Sequence, residues 1–114
     1  MSSNSHPAVD LKTLAGIRQF DLTDQVAIIT GGSKGLGAAM AAGLASAGAT
    51  TVIASRGGSE AEAVAKEITA GFGRRSLPIV ADVTQPDSVE LMVKSVMDQT
   101  GRIDILINSA GINI

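Results

Sequence analysis

Apolar positions along the chain fall into short blocks whose spacing predicts a regular succession of strands and helices. Val26-Ala27-Ile28-Ile29 is an unbroken apolar run of strand type, the pattern of a strand covered on both faces in a parallel sheet. It runs through Thr30 into a glycine turn. Leu36 to Ala47 then reads as a helix, with Met40 and Leu44 on one stripe and many alanines that let it lie close to a sheet. Gly48 supplies a helix stop, and Thr51 to Ala54 a second strand. The next helix spans Ser59 to Gly71, with Ala63, Val64 and Ile68 inward and Ser59-x-x-Glu62 at capping-box spacing. Ser76 to Val80 is a third strand. From Asp87 to Thr100, Val89, Met92, Val93, Val96 and Met97 follow the helical repeat, and both methionines are expected in the core. Gly101 ends that helix, and Ile103 to Ile107 forms a fourth strand.

The turn after the first strand carries the candidate chemistry. Gly31, Gly35 and Gly37 are spaced Gly-x-x-x-Gly-x-Gly. That is not the common Gly-x-Gly-x-x-Gly fingerprint, and Lys34 precedes Gly35, which excludes a phosphate loop ending in Gly-Lys-[Ser/Thr]. A sharp strand-to-helix reversal needs positive φ at some residues, and a Cβ facing it would hold phosphates away from the backbone. The first helical turn adds unpaired N–H groups and the positive end of the helix dipole. Taken alone, the glycines fit a tight structural turn as well as a phosphate cradle, but their place between strand and helix favours a nucleotide. The alternation predicts an α/β chain with a Rossmann-type doubly wound parallel sheet, truncated to about four strands with four helices, in order 3-2-1-4.

Thr30-Gly31-Gly32-Ser33-Lys34-Gly35-Leu36-Gly37 resembles the Thr-Gly-x-x-x-Gly-x-Gly motif of the short-chain dehydrogenase/reductase family. The resemblance runs from about Phe20 to Ile114. It implies that Thr30, Gly31, Ser33, Lys34, Gly35, Leu36 and Gly37 serve a dinucleotide, and that residues 21–114 are the amino-terminal half of an NAD(P)-binding domain behind a flexible leader, residues 1–20. In that leader Leu11, Leu14, Ala15 and Ile17 could line one face of a short helix, but Gly16 weakens it, and a leader that packs loosely or not at all is the expectation.

At the end of the second strand, where an acidic residue would bind the ribose 2′-OH of NAD, the chain has Ser55 and Arg56. Both suit a phosphate, and Lys34 adds a second cation. In the family a basic residue at either place goes with NADP preference, so NADP(H) is expected ahead of NAD(H); the plainer alternative makes Arg56 and Lys34 ordinary surface charges. Asp82-Val83 resembles the family's Asp-Val/Leu dipeptide, whose carboxylate meets the adenine amino group, although Asp82 also suits a helix cap or turn. Asp104 resembles the acid before the fourth strand. Asn108-Ser109-Ala110-Gly111 resembles Asn-Asn-Ala-Gly; Asn108, Ala110 and Gly111 carry over as cofactor-side positions, with a simple strand-ending turn as the alternative. Ser109 departs from the motif, and some bracing of the central sheet is expected to weaken with it.

Composition narrows the rest. The chain has 114 residues, 45% hydrophobic, with a net charge of −2, which suits one small soluble domain. The mildly acidic balance offers no footprint for nucleic acid or an anionic membrane. Without Cys, and with the single His6, no disulfide, metal site or histidine triad is assigned. The uncharged run Gly35 to Ser55 is interrupted by Gly43 and Gly48 and is not a membrane span. Met1 to Asp10 lacks the layout of a secretory signal, which points to the cytoplasm.

In the family, hydride transfer uses a Tyr-x-x-x-Lys pair, a Ser and a further Asn, all beyond the segment corresponding to Asn108–Gly111. There is no Tyr in this chain, so no catalytic residue is assigned and the chain alone is expected to be inactive and marginally stable. It is then either the amino-terminal half of an NADP(H)-dependent enzyme acting on an alcohol or ketone, a homodimer or homotetramer when complete, or a nucleotide-binding module or inactive remnant. Phe20-Asp21-Leu22-Thr23-Asp24-Gln25-Val26 looks like sugar-acid or polyol members, while acyl-carrier-protein reductases share much of the same half.

Overall fold

All five residues of β1 (Val26–Thr30) are buried, because this strand has a partner on each side and helices on both faces. In the computed structural model, which describes residues 21–109, it is followed by α1 (Gly35–Ser46), β2 (Thr50–Ser55), α2 (Gly58–Phe72), β3 (Ser76–Val80), α3 (Pro86–Thr100) and β4 (Ile105–Asn108). The leader, the short helix considered within it, His6, Ala110 and Gly111 lie outside the described residues. The strands pair in parallel in the order β3-β2-β1-β4, as the alternation predicts. Ile29 sits level with Ile53 on one side and Ile107 on the other.

Successive β1 side chains point to opposite faces and feed two separate cores. Ala27 and Ile29 pack with Ala41 and Ala45 of α1 and with Ala61, Ala65 and Ile68 of α2. Val26 and Ile28 pack with Met92 and Val96 of α3. Two helices therefore cover one face and one the other.

Several side chains turn differently from their periodicity. The buried line of α1 is Gly37, Ala41 and Ala45, with Met40 and Leu44 only half-buried beside it; small residues let the helix axis approach the sheet. In α2 the inner line is Ala61, Ala65 and Ile68, and Ala63 faces solvent. The capping box is not formed: α2 begins at Gly58, with Gly57 as N-cap and no side-chain cap, so Ser59 is already inside the helix. It also runs past Gly71 and ends on Gly73, at φ +65. Along α3, Met92 and Val96 are buried but Val93 and Met97 are 40% and 44% exposed, because one stripe suffices to meet the sheet.

β4 starts at Ile105, two residues later than its apolar run suggests. The intervening Asp104 is used as a brace. Its Oδ2 accepts from the Val26 N–H at 2.8 Å, its own N–H donates to the Val26 carbonyl at 2.9 Å, and Arg102 forks onto the carboxylate at 2.6 and 2.8 Å. The Arg102 bond first, and the Val26 N–H second, hold the Asp104 carboxyl below its ordinary range. A carboxyl whose pKa is lower folded than unfolded stabilises the fold above the unfolded value, about 3.9, and that contribution is lost as pH falls through the folded value. Asp104→Asn is therefore expected to lower the urea midpoint at neutral pH, with the gap to wild type narrowing as pH falls below the unfolded value of about 3.9. Parallel midpoint curves across that range would show that the ion pair carries no stability.

Candidate functional site

The carboxyl ends of β1, β2 and β3 and the N-terminus of α1 enclose a cleft of about 640 Å³, within the usual range of small-molecule sites. Gly31, Ser33, Lys34, Gly35, Leu36 and Gly37 form its floor, Ser55 and Arg56 one wall, and Asp82 and Val83 another. Residues as far apart in sequence as Gly31 and Ser109 are gathered here because a doubly wound sheet delivers the carboxyl ends of its strands to the same edge. Thr30 and Asn108 stand behind the floor.

Each glycine has its own reason. Gly31, at φ +68, donates its N–H to the Ala54 carbonyl at 2.8 Å and ties the turn to the end of β2. Gly35 has φ +52, and a Cβ there would meet nothing within 4 Å; its constraint is backbone conformation, and its missing side chain leaves the cleft open. Gly37 answers to packing. A Cβ on it would overlap the Gly31 carbonyl oxygen and come within 2.6 Å of Ser109 Oγ, so α1 can rise this close to the turn only from a glycine.

α1 opens with Lys34 as N-cap in extended conformation, without a side-chain cap and without an acidic residue in its first turn. Its first backbone bond runs from the Ala38 N–H to the Lys34 carbonyl at 3.3 Å. The positive end of this 12-residue helix thus faces the cleft with no acid of its own against it, the arrangement that favours an anion.

The floor is braced from β4. Thr30 Oγ1 donates to Asn108 Oδ1 at 2.7 Å, and Ser109 donates to the Thr30 carbonyl through Oγ at 2.5 Å and through its N–H at 3.1 Å. Ser109 is 7% exposed. The hydroxyl therefore does bind the central strand, and its small size suits a position pressed against Gly37.

On the β2 wall, Ser33 Oγ donates to Ser55 Oγ at 3.0 Å, which also accepts the Gly57 N–H at 3.1 Å. With its acceptor side engaged, Ser55 retains a hydroxyl proton to donate. Arg56 is exposed at the rim. Lys34 Nζ lies 3.3 Å from Glu60 Oε2. Glu60 lines the cleft and was not a candidate from the sequence; the available signal is its position in the first turn of α2, where side chains lean back toward the helix N-terminus. Asp82 closes a turn of its own: Oδ1 accepts from the Thr84 N–H at 3.0 Å and the Thr84 hydroxyl at 2.7 Å. The Thr84 hydroxyl, then its N–H, and lastly the charge of Arg56 lower the Asp82 pKa. It does not cap α3, whose N-cap is Gln85. Among the described residues no cluster of His, Cys, Asp or Glu suits a metal ion.

The family model for short chain dehydrogenases matches residues 25–114. An uncharacterised oxidoreductase of Mycobacterium tuberculosis is 45% identical over 92 residues, covering 81% of this chain and 35% of the relative. The peroxisomal 2,4-dienoyl-CoA reductase of Danio rerio is 47% identical over 92 residues, covering 81% and 31%. Among solved structures, L-sorbose reductase from Gluconobacter frateurii, complexed with NADPH and L-sorbose, superposes with a TM-score of 0.79 at 37% identity, over 83% of this chain and 36% of that one. The chain thus spans about a third of the length of the proteins it matches.

Proposed function

The chain belongs to the short-chain dehydrogenase family, and on that premise we propose that it is the cofactor-binding part of an NADP(H)-dependent oxidoreductase acting on a secondary alcohol or ketone of sugar-acid, polyol or 3-oxoacyl type. One observation carries the cofactor choice: the uncapped end of α1 opens between Lys34 and Arg56, and the end of β2 bears Ser55 where a carboxylate would serve NAD. Gly31, Ser33, Gly35, Leu36 and Gly37 would receive the pyrophosphate on backbone N–H groups, and Ser55, Arg56 and Lys34 the 2′-phosphate. Asp82 and Val83 would face the adenine. Asn108, braced by Thr30, would orient the nicotinamide side together with Ala110 and Gly111.

When bound, NADP(H) supplies the hydride. No residue of the 114 is assigned acid/base chemistry, since the chain has no Tyr and a single His near its start. That same lack favours a second reading, a nucleotide-binding module without turnover of its own. No described helix is long and apolar enough to cross a membrane; a cytoplasmic homo-oligomer is the state we propose.

Arg56→Ala is expected to weaken NADPH by about 1.5 kcal/mol, the low end for a charged hydrogen bond because Arg56 is exposed, and to leave NADH nearly unchanged. Ser55→Asp is expected to shift preference toward NADH. Calorimetric titration with both cofactors checks this, and a wild type that prefers NADH would overturn the assignment.

A further inference from the structure

Glu60 belongs to α2, yet its carboxylate lies in the wall of the cleft, with Oε2 3.3 Å from Lys34 Nζ. The pair joins two elements: Lys34 stands at the N-cap of α1 and Glu60 in the first turn of α2. Glu60 reaches back past its own N-cap, so that a Cβ on Gly57 would sit 3.4 Å from the Glu60 carboxyl carbon. A side chain at 57 would be in ordinary van der Waals contact with that carboxyl group, which places the carboxylate beside the N-cap of α2, in the cleft wall that Ser55 and Arg56 also line.

Both partners are well exposed, with side chains 77% and 48% accessible. Such a pair contributes little to stability. Its position matters more than its strength. A carboxylate here occupies one of the two cations offered to a 2′-phosphate and repels that phosphate directly. The same oxygens accept well from a hydroxyl, as an acid at the end of β2 would, but from the following helix.

Resting on the NADP(H) reading, we propose that Glu60 is a specificity-determining residue of this cleft: by engaging Lys34 it holds down the preference for a 2′-phosphate and keeps the unphosphorylated ribose of NAD(H) acceptable. Cofactor choice is then a balance set across α1 and α2. A 2′-phosphate must draw Lys34 away from Glu60 on binding, whereas a ribose hydroxyl leaves the pair in place.

The test is titration of wild type, Glu60→Gln, Lys34→Gln and the double variant with NADPH and with NADH, at low and high salt. Glu60→Gln is expected to tighten NADPH by about three- to tenfold, as expected for one screened charge near a phosphate, without tightening NADH. The gain should shrink at high salt and be smaller in the Lys34→Gln background. Glu60→Ala, which removes the carboxylate without adding an amide, should move selectivity the same way. A role confined to holding α2 would instead change both cofactors equally, and that result, or a selectivity ratio unchanged within about twofold, overturns the proposal. A wild type that binds NADH more tightly refutes the NADP(H) reading on which the proposal rests; an NADPH-preferring wild type with an unmoved ratio refutes the Glu60 role alone.

Discussion

Replacing Gly37 with valine is expected to abolish folding and cofactor binding together, whereas Gly35→Val is expected to abolish binding and leave the fold standing. At Gly37 the new side chain would start inside the Gly31 carbonyl oxygen and against Ser109 Oγ. The first of these is backbone, held in turn by the Gly31 N–H bond to Ala54. Relief requires lifting α1 off the sheet, which uncovers Ala41 and Ala45 from the core they share with Ile29. Overpacking costs about 1–3 kcal/mol where side chains can give way and more where, as here, the atom met is backbone, a large share of the whole stability of a small domain. At Gly35 the space is open, so the cost is the left-handed backbone alone, about 1–2 kcal/mol, while the side chain projects where phosphates would lie. Urea unfolding followed by circular dichroism, paired with NADPH titration, separates the two. A Gly37→Val chain with the wild-type midpoint would remove the packing account, and Gly35→Val with wild-type affinity would remove the phosphate cradle.

The 114-residue chain by itself is expected to show no turnover and to associate through β4. Hydride transfer to a carbonyl needs a proton donor of matched pKa beside the substrate. The chain has no Tyr, and the acids whose pKa values are perturbed, Asp21, Asp82 and Asp104, are carboxylates shifted further down, away from a donor's range. Structurally, β4 pairs only with β1 among the described residues, and Leu106 on it is 62% exposed. An apolar parallel strand with a free edge is a template for another chain, and Leu91 at 68% exposed, with Val93 and Met97, adds uncovered apolar side chains on α3. NADPH oxidation against ketones and sugar acids, with sedimentation velocity over a concentration series, gives the readout. Turnover above background would overturn the chemical half, and a monomer with a sharp cooperative melt the structural half.

Alternation of apolar runs and helical repeats was enough to determine the parallel sheet and its order, because one-helix connections leave few ways to bury β1 on both faces. The segment Thr30 to Gly37 was legible for a similar reason: strand end, turn and helix start are contiguous, so their chemistry is written in consecutive residues. What tertiary structure alone decided involves partners far apart in the chain or choices between near-equal local states. Alanine carries little directional signal, so whether Ala63 or Ala61 and Ala65 face inward depends on how α2 meets the sheet. Two adjacent glycines allow α2 to begin at Gly58, which leaves the Ser59 and Glu62 box inside the helix. Gly37, read from the sequence as a cradle residue, also carries a packing duty, because the atoms it must clear belong to Gly31 and to Ser109, the latter delivered by a strand at the other end of the chain. Ser109 looked like a weakened brace until its hydroxyl met the Thr30 carbonyl. Glu60 carried no motif at all; it entered the cleft only because α1 and α2 lie side by side on one face of the sheet, bringing its carboxylate to Lys34. Local periodicity reports which residues want to be buried, whereas the contacts that shape a site are set by the packing of elements, and no short window of sequence contains both partners.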